Sequence, residues 1–183
     1  MSISEILDHK FNELEKLLTT EAYKQSRISR GGPFISLLYP PDEEVNVRKR
    51  INLLAKKLES SGWKIYFFEP EPHLYKFLES KGKAQDAFET ERQNPAQLRS
   101  AIAVDLYLKK LSEIGNEDKE KHILFVLRAG GFFPHVNLHS LQEKLVDKIK
   151  MTTVFFIPAV EIEGHQYLFL GTEKTQKYRG IFI

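Results

Sequence analysis

The sequence predicts an α/β fold: a single three-layer domain with a mostly parallel, mixed sheet and helices on both faces. Three observations predict it. Ile123 to Leu127 is an unbroken apolar run, as a strand covered on both faces requires. Leu138, Leu141, Leu145 and Ile149 follow at helical spacing behind the capping residue Asn137, so a helix is expected over 137–150. Thr152 to Ile157 (TTVFFI) is then β-branched and aromatic, and Pro158 stops it. Strand, helix and strand in that order are most simply a right-handed crossover within one sheet.

The remaining elements extend this unit in both directions. An N-terminal helix within residues 1–25 is apolar at Ile3, Ile6, Leu7, Leu14, Leu17 and Leu18, and Ser2 with Glu5 has the spacing of a capping box. Arg27 to Pro33 breaks that pattern, and the sheet-containing core follows over 34–183. Phe34 to Tyr39 is the first strand, ended by Pro40 and Pro41. Asp42, Glu43 and Glu44 place negative charge at the next helix N-terminus; Val47, Ile51, Leu54 and Leu58 face inward, and Gly62 closes the helix. Lys64 to Phe68 is the second strand. Glu69-Pro-Glu-Pro72 predicts a bend before a short helix over 73–80. Lys83 to Gln93 is polar enough for a solvated helix or a mobile connection. Asn94-Pro95 starts a helix to about Ile114, apolar at Leu98, Ile102, Val104, Leu106, Leu108 and Leu111. Strands over 123–127 and 153–157 complete the parallel set. A polar turn at 161–165 then leads to Gln166–Leu170 as the second arm of a hairpin, and Gly180–Ile183 reads as a last edge strand. The sheet should hold roughly five strands.

Composition narrows the function classes. The 183 residues suffice for one well-buried domain over 1–183, and the 42% apolar and 28% charged shares argue against disorder. There is no cysteine, which excludes disulfides, thiolate metal sites and a cysteine nucleophile, and makes a reducing cytoplasm the expected location. No run approaches the roughly 20 apolar residues of a membrane span, and the first residues do not resemble a signal peptide, so no membrane partner is expected. A net charge of +2 is too small to imply a polyanion. Arg48-Lys-Arg50, Lys56-Lys57 and Lys144, Lys148 and Lys150 are interleaved with acids, so direct nucleic-acid binding is not expected.

An α/β sheet presents its functional loops beyond the carboxyl ends of its strands. The turn after the first strand, Pro40-Pro-Asp-Glu-Glu44, lacks amide donors and carries the wrong charge for a nucleotide phosphate. The turn after the second, Glu69-Pro-Glu-Pro72, is again acidic. The third, Arg128-Ala-Gly-Gly-Phe-Phe-Pro134, alone joins a cation to glycines. His135, His139 and Glu143 stand four apart, but zinc demands three or four convergent ligands and no His-Glu-x-x-His pattern is present, so no metal is expected. Glu161, Glu163 and Glu173-Lys174 read as a solvated hairpin, and no Gly-x-Ser-x-Gly elbow exists. No catalytic residue and no cofactor is therefore expected. Phe132-Phe133 has two readings: both rings tuck onto the sheet edge, or one faces a partner. On the second reading Arg128, Phe132, Phe133 and His135 are the candidate partner-binding residues.

Leu127-Arg-Ala-Gly-Gly-Phe-Phe133, Val154-Phe-Phe-Ile-Pro158 and Gln166-Tyr-Leu-Phe-Leu170 resemble the BrxB family of bacterial BREX anti-phage defence systems. Leu38-Tyr-Pro-Pro-Asp-Glu43 and Arg48 fit the opening of the same family, so the resemblance spans about residues 34–183. The chain has Ile157-Pro158-Ala159 where family members show Phe-Pro-Gly, and Tyr178 to Ile183 stands in place of their aspartate–glycine–tryptophan close. The resemblance implies a small cytoplasmic component without catalytic residues. It would bind a larger defence subunit such as the PglZ phosphatase-like protein. Separately from the resemblance, a homo-oligomer is a further candidate, and the sequence does not decide the oligomeric state. The alternative is a degenerate nucleotide- or nucleic-acid-processing enzyme.

Overall fold

Strands buried on both faces sort their residues by alternation, and two apolar cores result. In the computed structural model, residues 2–20, 32–80, 82, 84–93, 103–117, 119–133, 135–162, 166–171, 173–175 and 180–183 are described. Strand β1 (Phe34–Tyr39) is buried throughout: Phe34 and Leu38 enter one core, while Ile35, Leu37 and Tyr39 enter the other. Strand β3 (His122–Val126) and strand β4 (Thr152–Ile162) divide the same way, with Leu124, Val126, Phe155 and Ile157 on the first face and Ile123, Phe125, Val154 and Phe156 on the second.

Helix α1 (Ile3–Thr19) covers the second face with Leu7, Phe11, Leu14 and Leu18, joined by α2 (Glu44–Ser60) through Val47, Ile51, Leu54 and Leu58. Ser2 and Glu5 form the expected capping box on α1. The first face is covered by α3 (Pro70–Ser80), α5 (Val104–Gly115) and α6 (Leu138–Leu145). Between α3 and α5 lies α4 (Ala84–Gln93). None of the described helices is long and apolar enough to cross a membrane.

With β2 (Lys64–Phe68), β5 (Gln166–Phe169), β6 (Glu173–Thr175) and β7 (Ile181–Phe182), the sheet runs β2-β3-β4-β1-β7, all parallel. The far half of β4 turns out of this array and pairs antiparallel with β5, which pairs with β6. The strands expected at 34–39, 64–68, 123–127 and 153–157 thus lie in one mostly parallel sheet with helices on both faces. The step from β1 to β2 runs one way across the sheet under the second face. The steps from β2 to β3 and β3 to β4 run back over the first, as a constant crossover hand requires.

Four expectations need correction. Seven described strands stand where roughly five were expected; the one not foreseen is β6, which extends the β4–β5 hairpin. The acidic Glu69-Pro-Glu-Pro72 does not bend away but opens α3, since the first turn of a helix needs no amide donors. Pro158 does not stop β4, which runs on to Ile162 because its pairing passes there from β1 to β5; of the two readings of Lys83 to Gln93, the helix holds, over 84–93. Asn137 caps α6 by accepting from the Ser140 amide, yet the α-helix ends at Leu145 and not at residue 150. There Lys148 and Ile149 both donate to the Leu145 carbonyl, and Lys150 and Met151 donate to Gly115. The expected helix starts at Asn94-Pro95 and the tail of the first helix beyond Thr20 lie outside the described residues.

Gly180 carries a backbone constraint that can be tested. Its φ is +93°, and a Cβ there would sit 2.1 Å from the Phe34 carbonyl oxygen, a backbone atom of a central strand. Gly180→Ala should therefore destabilise the fold by about 2–4 kcal/mol. A thermal melt reads this directly, and an unchanged Tm would contradict the close approach of β7 to β1.

Candidate functional site

At the carboxyl edge, Leu127 donates its amide to the Phe68 carbonyl at 2.8 Å, and the chain then reverses through Arg128. Arg128 is left-handed, with φ 50°, which lets the 3-10 turn Ala129–Phe132 begin at once. The Gly131 amide donates to Arg128 and the Phe133 amide to Gly130. The Arg128 guanidinium, roughly half exposed, lies 3.7 Å from a Glu69 oxygen and 3.4 Å from a Glu71 oxygen.

The two glycines serve packing inside the chain. A Cβ on Gly131 would meet Glu71 Cγ at 2.7 Å, and one on Gly130 would meet Leu170 Cδ2 at 3.0 Å and Pro158 Cγ at 3.4 Å. Their small size brings the first turn of α3 and the β4–β5 hairpin onto this turn.

The aromatic pair splits. Phe132 is 0% exposed, stacked against Phe68 at 6.4 Å and edge-on to Tyr107 at 4.9 Å. It is a core residue, and its expected place among surface anchors is corrected: the tight turn points it at the α3–α5 layer. His135, also a candidate contact, is 4% exposed and lies at the base of an open surface pocket of about 230 Å³ lined by Val104, Asn137, Ser140 and Lys144. Phe133 is only partly buried, edge-on to Phe169 at 6.4 Å, so it and Arg128 keep surface at the turn.

Around Phe132 the polar atoms are held in place. Tyr107 donates its hydroxyl to the Pro70 carbonyl at 3.2 Å, and burial raises its pKa well above the ordinary phenol range. His73 stacks flat on Phe68, 4.7 Å away and 5° from parallel. Burial, with Lys110 and Lys76 nearby, lowers its pKa below the usual value. His139 approaches Glu143 at 3.9 Å, and among the described residues no three histidine or acidic side chains converge on a metal position.

No family model, curated protein or solved structure matches the chain.

A second concavity was not foreseen. The chain leaves β1 toward α2 on the second face, whereas β4 leaves into the hairpin, whose Tyr167 and Phe169 join the first core. Between these diverging paths a cleft of about 390 Å³ opens, where α/β sheets receive ligands. Ile3 and Ile6, expected to face the core, are 46% and 39% exposed and line its mouth. Leu38, Ala159, Val160 and Phe182 form its apolar walls. Lys10 reaches in from α1 and donates to the Leu38 carbonyl at 2.9 Å and to a main-chain oxygen of Ile183, the last residue of the sequence, at 3.1 Å. Burial lowers its pKa, partly offset by Glu13 and Glu161. Beside the cleft, Tyr39 donates its hydroxyl to Glu44 at 2.5 Å, and burial followed by that bond drives the phenol pKa far upward. Helix periodicity could not reveal this site, because its walls come from both ends of the chain.

Two outcomes follow. Phe132→Ala should cost about 3–5 kcal/mol of stability, the range for emptying a large core aromatic, and Phe133→Ala distinctly less; thermal melts of both variants decide the ranking. For His73, the unfolded chain takes up a proton near pH 6.5 whereas the folded chain resists until lower pH. Its contribution to stability is therefore full above about pH 6.5 and declines as the pH falls through the window below it. His73→Phe keeps the stack without the titration, so denaturant melts should show it losing less stability than the wild type between about pH 7.5 and 5.

Proposed function

We propose that this chain is a non-catalytic interaction component of a BREX-like bacterial phage-defence system that binds a larger subunit such as the PglZ phosphatase-like protein. The reading rests on the resemblance to the BrxB family, and one observation supports it beyond sequence. The three segments that carry the resemblance meet at one point of the carboxyl edge, the first separated by α6 from the hairpin that the other two form. Gly130 of the first abuts Pro158 of the second and Leu170 of the third, and the Leu170 amide donates to the Pro158 carbonyl at 2.9 Å. Arg128 stands at the same point.

Arg128 is an economical choice for a contact and a poor one for stability. A side chain at positive φ costs roughly 1–2 kcal/mol, and exposed ion pairs at the observed distances return about 0–1 kcal/mol. Arginine is, however, enriched where binding energy concentrates, and aromatic neighbours such as Phe133 share that enrichment. The strained backbone presents the guanidinium outward between two carboxylates that orient it.

Arg128→Gly separates the two roles, because glycine accepts the backbone angle while losing the guanidinium. The variant should be no less stable than the wild type in a thermal melt. Its association with the PglZ-like subunit, measured by co-purification and calorimetry, should weaken by about 2 kcal/mol, roughly 30-fold. Undiminished association of both Arg128→Gly and Phe133→Ala would overturn the assignment of this turn to the partner.

A further inference from the structure

We infer that the free edge of β2 is a self-association site, at which two copies of the chain pair their β2 strands antiparallel about a two-fold axis through Tyr66. β2 ends the sheet, and its bonds to β3 fix which main-chain groups face outward. The Lys64 amide donates to Lys121 and the Phe68 carbonyl accepts from Leu127, each at 2.8 Å, so Lys64, Tyr66 and Phe68 turn their main-chain groups to β3. Ile65 and Phe67 therefore direct their N–H and C=O groups away from it, and among the described residues these groups have no partner. An antiparallel pair centred on Tyr66 needs that alternation: Ile65 and Phe67 of one copy exchange both bonds with Phe67 and Ile65 of the other. The other edges are shorter, two residues in β7 and three in β6, and short edges discourage pairing.

The side chains favour a second copy as the occupant. Phe67 is 45% exposed, edge-on to Phe125 at 6.0 Å, and the pairing would lay it across from Ile65 of the second copy, twice by symmetry. On the opposite face Tyr66 would meet its own counterpart. Lys64 opens the strand and Glu69 follows it. Antiparallel pairing sets each copy's cation beside the other's carboxylate, whereas a parallel pairing would set like against like. Glu69 also approaches Arg128 at 3.7 Å, a loose and exposed contact that leaves it open to a second cation. Lysine on an edge strand commonly blocks such pairing, but the Lys64 ammonium lies over the Tyr66 ring, 5.1 Å from its centre. No proline or bulge interrupts the strand either. Two five-residue strands bury less than a standard interface, so a weak dimer with a Kd of about 10–100 µM is expected. Self-association at β2 does not depend on the defence-system reading.

Analytical ultracentrifugation of the full chain over about 1–300 µM should show monomer giving way to dimer. Phe67→Lys, a change at an exposed position that leaves the fold intact, should weaken the dimer by about tenfold or more. The chain has no cysteine, so a single introduced thiol reports the register. Tyr66→Cys sets the two Cα atoms about 4.5 Å apart across the two-fold, within disulfide reach, whereas Phe67→Cys leaves them about 7–8 Å apart. Mild oxidation should therefore link Tyr66→Cys into a covalent dimer at least about tenfold faster than Phe67→Cys. Should Tyr66→Cys fail to fold, the comparison of wild type with Phe67→Lys decides alone. A chain that stays monomeric throughout, a dimer undiminished in Phe67→Lys, or equal cross-linking at both positions would overturn the inference. A monomeric chain whose Phe67→Lys variant loses a co-purifying defence subunit would overturn it too, and assign the edge to a strand of that subunit.

Discussion

Every layer of this protein depends on the pairing of β1 with β4, six residues in register from Phe34 opposite Thr153 to Tyr39 opposite Pro158. Both strands are buried on both faces, so each successive side chain is committed to one core or the other. Burial of a large apolar side chain stabilises by about 1.5–3 kcal/mol, and a slip of one residue would exchange the two faces of a strand at once. One polar contact reinforces the arrangement. Gln142 of α6 donates to the Ser36 hydroxyl of β1 at 3.4 Å, and both residues are fully buried. A displaced α6 would take that amide away from Ser36, at the cost of an unsatisfied buried hydroxyl.

The shape of the carboxyl edge is a consequence of this pairing. Because β1 and β4 are neighbours whose continuations part, a cleft must open between them, and α1 and β7 wall it from either side. One strand further along, β3 ends against the first turn of α3, where Glu69 and Glu71 meet Arg128. The aromatic cluster of Phe68, His73, Tyr107 and Phe132 binds α3, α5 and the 3-10 turn into one unit beneath that edge. The turn is therefore held from below by packing and leaves a single charged side chain on top.

Helix α1 is attached differently from the rest. Its apolar stripe reaches the second core, and charged groups clamp its outer side to α2: Arg50 with Asp8 at 2.8 Å and Lys57 with Glu15 at 2.7 Å. Such surface pairs contribute about 0–1 kcal/mol each, so they orient α1 more than they retain it. The basic runs that read as a solvated face in the sequence are thus partly spent on aligning two helices.

The unbroken apolar runs at 34–39, 123–127 and 153–157 revealed the central strands because a strand covered on both faces can afford no polar residue on either. Ser2 and Asn137 revealed helix starts because an unpaired amide needs a local acceptor. Those are short-range constraints, and a linear reading captures them. The direction of Phe132 and Phe133 was different: adjacent side chains diverge, but only the α3–α5 layer determines which one is buried. The role of Gly130 and Gly131 likewise depends on Glu71, Pro158 and Leu170, all distant in the chain. Ile3 and Ile6 fit the helical stripe of α1, yet the sheet beneath them ends before it can cover them. Lys10 is the extreme case, since it bonds a main-chain oxygen of Ile183, 173 residues away. Contacts of that span leave no periodic trace in the sequence, and only the closing of β7 onto β1 brings their two ends together.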